Sequence, residues 1–110
     1  MATTTYKVLG QSAPSATTET DLYTVPASTQ AIVSTLMVAN RAATDSTFRV
    51  SVSVGGGATA TKDYIAYGLT AGGNGINAFT LGITLGAADK VRVYASSADL
   101  SFNLFGSELA

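Results

Sequence analysis

The sequence predicts an all-β chain, folded as a single antiparallel β-sandwich of jelly-roll-like type with about eight strands. Three observations predict it. Apolar residues recur at every second position wherever a pattern is legible, which is the side-chain period of a half-buried strand. Glycine, proline and asparagine clusters punctuate the chain every ten or so residues, the spacing of strands in a sandwich or small barrel. No segment opposes an apolar stripe to a charged face, as an amphipathic helix does. At 110 residues the chain has length for one core only.

The strands differ in how clearly they are written. Near the N-terminus Tyr6 to Leu9 and Asp21 to Val25 are short apolar runs, the second closed by a turn at Val25-Pro26-Ala27-Ser28, since proline cannot donate to a ladder. Thr29 to Asn40 is apolar on both parities, with Ile32, Leu36 and Val38 against Ala31, Val33, Met37 and Ala39. That suits a strand covered on both sides, or a bulge that switches faces; its Thr, Val and Ile content speaks against a helix. Asn40 to Ser46 reads as a hairpin loop. Phe48, Val50, Val52 and Val54 then alternate without a break against Arg49, Ser51 and Ser53. Tyr64 to Tyr67 and Asn77 to Leu81 are weaker strands, preceded respectively by the loops Gly55-Gly56-Gly57 and Gly72-Gly73-Asn74-Gly75. Gly86-Ala87-Ala88-Asp89 closes a further hairpin. Val91, Val93 and Ala95 face inward against Lys90, Arg92 and Tyr94, and Leu100, Phe102 and Leu104 form the last inward row against Ser101, Asn103 and Phe105. Met1 to Thr5 reads as an arm that orders only against a neighbour, and Gly10 to Thr18 as an extended connection. Residues 1–20 are therefore expected to be an N-terminal arm and connection, and residues 21–110 the β-sandwich domain.

Composition narrows the function classes. Histidine, cysteine and tryptophan are absent, which removes the commonest general base, the commonest metal ligand and every thiolate site. Charged residues make up 12% of the chain with a net charge of −1, about half the usual charged share. Lys7, Arg41, Arg49, Lys62, Lys90 and Arg92 are scattered, whereas a nucleic-acid partner calls for clustered cations. So little charge leaves two readings of the surface: it is covered by copies of the chain or by partners, or Ser, Thr and Ala simply replace charges on a monomer. No stretch approaches the roughly 18 apolar residues of a membrane helix. The first residues lack the basic and apolar segments of a secretory signal, so synthesis in a host cytoplasm is expected.

The search for chemistry returns little. Asp63 and Asp99 are the carboxylates worth weighing as a glycosidase pair, which needs about 5–10 Å between them, but both sit where aspartate is routine, at a strand start and in a turn. Thr44-Asp45-Ser46 is too thin for calcium. The glycine clusters have no helix behind them and no lysine in step, so they are turns rather than phosphate cradles. Tyr23, Tyr64, Tyr67 and Tyr94 are candidates for a carbohydrate platform, or for ordinary strand packing. No catalytic residue, cofactor or metal is expected.

From Asp21 to Glu108 the chain resembles a family of small structural proteins of tailed bacteriophages, cyanophages included. The motifs that carry the resemblance are "LYTVP", "NRAATDSTFRV", "DYIAY", "TLGITL" and "VRVYASSADLSFNLFG". The resemblance implies a non-enzymatic virion protein working as a homotrimer or other symmetric oligomer. Its place would be on the capsid as a decoration (cement) protein bound to the major capsid protein, or alternatively in the tail, neck or fibre. Two outward aromatics, Tyr94 and Phe105, are the candidate oligomer contacts, since aromatics are enriched at interfaces. For Phe105 the alternative is a bulge at Gly106 that turns the ring into its own core.

Overall fold

A computed structural model describes residues 3–110. It contains eight strands: β1 (Thr4–Ser12), β2 (Thr20–Thr24), β3 (Gln30–Asn40), β4 (Ser46–Ser53), β5 (Tyr64–Ala71), β6 (Ile76–Leu85), β7 (Lys90–Ala95) and β8 (Leu100–Leu109). They form two four-stranded antiparallel sheets. Sheet A has the order β1-β8-β3-β6 and sheet B the order β2-β7-β4-β5. Eight strands distributed in this way over two facing sheets are a jelly roll, so the fold class expected from the sequence is the one observed.

The connections differ from the sequence reading. Asn40 to Ser46 and Gly86 to Asp89 are not hairpin loops, because β3 and β6 lie in sheet A while β4 and β7 lie in sheet B. Each is a corner where the chain changes sheet. Only β4 and β5 are consecutive strands that pair, through residues 54–63. The corner after β3 is held by Asn40, a buried side chain. Its Nδ2 donates to the carbonyls of Thr44 (2.8 Å) and Ala71 (3.0 Å), and its Oδ1 accepts from the Ala42 amide (3.0 Å). A buried amide so fully bonded carries little desolvation penalty.

The N-terminal stretch also differs. Residues 4–12 form a strand that pairs with β8 from Thr4↔Leu109 to Ser12↔Phe102, and residues 13–19 form the connection. Met1 and Ala2, the first part of the expected arm, lie outside the described residues. The signal was weak because β1 is an edge strand with a bulge at Leu9, so its alternation breaks after Val8. At Gly10 a Cβ would fall on the Leu22 carbonyl oxygen, and this close approach shuts the sandwich between β1 and β2.

The double apolar parity of β3 resolves as a bulge. Ala31 and Val33 face inward, Ser34 is the extra residue against β8, and Leu36, Val38 and Asn40 continue the inward row. The core centres on Phe48 and Phe102, both fully buried, with ring centroids 6.0 Å apart in an edge-to-face contact. Phe79 meets Phe48 at 6.0 Å from the β6 side. At the β5–β6 margin the sandwich stays open, with Ile65 and Leu69 partly exposed beside Phe79 and Leu81.

Candidate assembly face and a tyrosine–arginine row

The two outer faces differ in charge. On sheet A the outward row of β8 is Ser101, Asn103, Phe105, Ser107 and Leu109, flanked on β1 by Thr4, Tyr6, Val8 and Gln11. On the other side β3 presents Gln30, Ile32, Thr35, Met37 and Ala39, and β6 presents Ile76, Ala78, Thr80, Gly82 and Thr84. No carboxylate, lysine or arginine stands in these outward rows. Several of their apolar members are well exposed, among them Tyr6 at 85%, Ile76 at 67% and Ile32 at 54%.

Phe105 belongs to this face. β8 runs through Gly106 to Leu109, and the bulges lie on its neighbours, at Leu9 of β1 and Ser34 of β3. Phe105 therefore stays outward, half-buried between Val8 and Thr35. Ser34 Oγ donates to the Phe105 carbonyl at 3.1 Å. Gly106 is required beside it, because a Cβ there would fall on the Ile32 carbonyl oxygen.

Tyr94 lies on the opposite side of the molecule, on the outer face of sheet B, so the two aromatics cannot share one flat contact. Its cross-strand neighbour is Arg49, whose other neighbour is Tyr67. The Arg49 guanidinium sits 4.2 Å from the Tyr94 ring centroid and 4.3 Å from that of Tyr67. Tyr64 closes the row edge-to-face on Tyr67 at 4.9 Å. Of the four candidate platform tyrosines, three thus meet here. The fourth, Tyr23, is buried and donates its hydroxyl to Glu108 at 2.5 Å.

The rest of this face is ionic. Arg92 donates from Nε to Asp21 (2.9 Å), from Nη1 to Gly57 O (2.6 Å), Ser53 Oγ (2.8 Å) and Thr59 Oγ1 (3.0 Å), and from Nη2 to Gly56 O (3.1 Å). It pins the segment between β4 and β5 onto the sheet. Hydrogen bonds from Lys90 and Arg92 hold the Asp21 carboxyl below its ordinary range. The Tyr23 hydroxyl, with Lys7 beyond it, does the same for Glu108. Burial, reinforced by the Glu108 carboxylate, pushes the Tyr23 phenol far up.

Asp63 and Asp99 are not brought together. Asp63 is tied to the Ala60 amide at 2.9 Å, beside the Ser51 end of β4. Asp99 occupies the turn beyond the Ser46 end, where its carbonyl accepts from the Arg41 amide at 2.9 Å. Five residues of strand, roughly 16 Å, lie between those ends. Sequence reasoning missed Arg49 and Arg92. Their outward parity was legible, but the strands beside β4 and β7 were not.

The fold and both faces define the class: an eight-stranded jelly-roll sandwich. Among solved structures, the chain is similar over 99% of its length to a chain in the structure of infectious bursal disease virus, Gx strain, with a TM-score of 0.59 and 12% identity. A second match, from the crystal structure of the T13 particle of the same virus, has a TM-score of 0.57 and 9% identity, again over 99% of this chain. At such identities the likeness is one of fold. The present chain spans about a third of the viral chains, 32% and 30% respectively. No protein-family model matches it, and no curated protein sequence does.

Proposed function

We propose that this chain is a non-enzymatic structural protein of a virion, specifically a decoration (cement) protein of a tailed-phage capsid that works as a homotrimer. The observation that carries the reading is the uncharged outer face of sheet A. Charge depletion with exposed aromatic and aliphatic side chains is the composition of an interface core. The molecule measures 48 × 27 × 20 Å, so its broad face offers on the order of 1,000 Å², enough for the roughly 800 Å² per partner of a stable contact. The jelly roll shared with chains of virus structures supports the virion setting. The motifs quoted above support the phage origin, and repetition over a lattice lets modest single-site affinity suffice.

The test mixes purified protein with expanded, undecorated capsids of the phage that encodes it and follows co-sedimentation. Stoichiometric binding is expected, with binding and trimers both lost on Thr35→Glu combined with Met37→Glu, because each carboxylate would be buried unpaired. Protein found only on tails in purified particles would overturn the capsid position, and absence from particles would overturn the virion reading.

A further inference from the structure

The row on sheet B is separate from the uncharged face, and it contains a cation whose hydrogen-bonding capacity is unused. Arg49 donates no hydrogen bond and has no carboxylate within 4 Å among the described residues. The other two guanidiniums are engaged, Arg41 on the Ala98 carbonyl at 2.6 Å and Arg92 on five acceptors. The rings of Tyr67 and Tyr94 flank the Arg49 guanidinium, but a ring face accepts none of the five N–H donors in the way an oxygen does. A planar fork packed between two rings with its donors free can receive a carboxylate in bidentate fashion.

Beside the row lies an open recess of about 520 Å³, lined by Thr59, Ala60, Thr61, Tyr64 and Tyr67. That size is within the range of small-ligand sites. Its lining pairs the rings of Tyr64 and Tyr67, the latter residue 61% exposed, with the Thr61 hydroxyl and the one lone pair left on Thr59 Oγ1. A pyranose ring needs both: C–H bonds that stack on an aromatic ring and hydroxyls that exchange hydrogen bonds. The recess is not improvised by a loose loop, since Arg92 holds Gly56, Gly57 and Thr59 in place and the Asp63 carboxylate accepts from the Ala60 amide. Glu19, which accepts from Thr59 Oγ1 at 2.8 Å, puts negative charge at the loop end of the recess. A ligand's own carboxylate is thereby directed to the Arg49 end.

We infer that the outer face of sheet B is a binding site for an acidic saccharide, a uronic- or sialic-acid-type unit. Arg49 takes the carboxylate, the tyrosine wall of the recess packs against the sugar ring, and the Thr61 hydroxyl, with the remaining lone pair of Thr59, hydrogen-bonds to its hydroxyls. A peptide partner fits less well. The adjoining edge strand β5 is interrupted by register shifts against β4 and by Gly68 at φ +70°, which breaks the regular ladder that strand addition requires. The inference goes beyond the virion reading and does not depend on it.

Tyrosine fluorescence reports on the site directly, because the chain has no tryptophan. The full chain is titrated with oligogalacturonate and with sialyllactose, against neutral galactose oligomers of equal length and a glutamate-rich peptide. Saturable quenching is expected from at least one acidic saccharide, with a shift of the Arg49 Nε resonance in NMR. Arg49→Gln should weaken binding about tenfold or more, Arg49→Lys less, and Tyr67→Ala comparably to Arg49→Gln, with the circular-dichroism spectrum unchanged. The proposal is overturned if neither acidic saccharide saturates by about 10 mM, where even weak binding registers. It is equally overturned if Arg49→Gln binds as the parent does, or if the acidic peptide binds as tightly as the sugars.

Discussion

Removing Arg92 tests whether one side chain holds the β4–β5 connection in place. The guanidinium has one proton on Nε and two on each terminal nitrogen, while Nη1 alone faces three acceptors, Ser53 Oγ, Gly57 O and Thr59 Oγ1. Four well-formed hydrogen bonds are therefore the realistic count. The side chain is 12% exposed, so solvent screens these bonds only partly. In Arg92→Ala, Asp21 keeps Lys90 at 2.7 Å, and the carbonyls of Gly56 and Gly57 become hydrated, which argues for the lower end of the usual net value. At about 0.5–1 kcal/mol for each bond, the variant loses about 2–4 kcal/mol, a large part of the roughly 5–15 kcal/mol that keeps a domain folded. In urea denaturation followed by circular dichroism, the midpoint should fall by about 1–2 M with an unchanged slope. Amides of residues 54–63 should exchange faster with deuterium even where the fold persists. Arg92→Lys keeps the charge opposite Asp21 without the fork and should fall between the two. A midpoint for Arg92→Ala within about 0.3 M of the parent would refute the reasoning, since the loop would then be held by something other than this side chain.

Three further outcomes follow from particular contacts. The Tyr23 phenol keeps its proton in the fold well beyond the ordinary value near 10. Its contribution is thus whole below about pH 10 and is lost as pH rises toward the folded value. The Glu108 carboxyl is lowered, so its contribution is present above the ordinary glutamate range and is lost as pH falls through the lowered value. Tyr23→Phe should reduce neutral stability by about 1–2 kcal/mol and remove the alkaline loss, as read from urea midpoints at pH 7 and across about pH 9–11. Gly106→Ala pushes a methyl group onto the Ile32 carbonyl and should destabilise by at least about 2 kcal/mol, measured the same way; a neutral result would contradict the register of β8 on β3. Ala88 stands at φ +70° in the corner before β7, a conformation that alanine resists and glycine does not. Ala88→Gly should therefore raise stability by about 0.5–1 kcal/mol in thermal denaturation.

Much of the secondary structure was legible because strand alternation is local. Phe48 to Ser53, Lys90 to Ala95 and Leu100 to Phe105 each carry their inward row in consecutive residues, and the structure has β4, β7 and β8 there; Val54, read as the last inward residue of its row, instead lies beyond the end of β4 and is exposed. The two apolar parities of Thr29 to Asn40 announced a face switch, and the bulge at Ser34 supplies it. The turn clusters marked where strands end, but not whether the chain turns back within a sheet or crosses to the other one. The candidate sites followed the same divide. Low charge overall pointed to a covered surface, yet nothing local could show that the outward rows of one whole sheet carry none of the charges. Tyr67, Arg49 and Tyr94 were each legible as outward-facing residues, but their meeting depends on β5, β4 and β7 lying side by side. By itself the sequence determined which residues face in and which face out where a strand alternates without a bulge, because that is fixed by the two-residue period of a strand. Which strands are neighbours was decided only by the tertiary structure. β1 pairs with β8 from the opposite end of the chain, and such pairings form because two sheets must bury their apolar faces against each other at once, a condition no single segment can express.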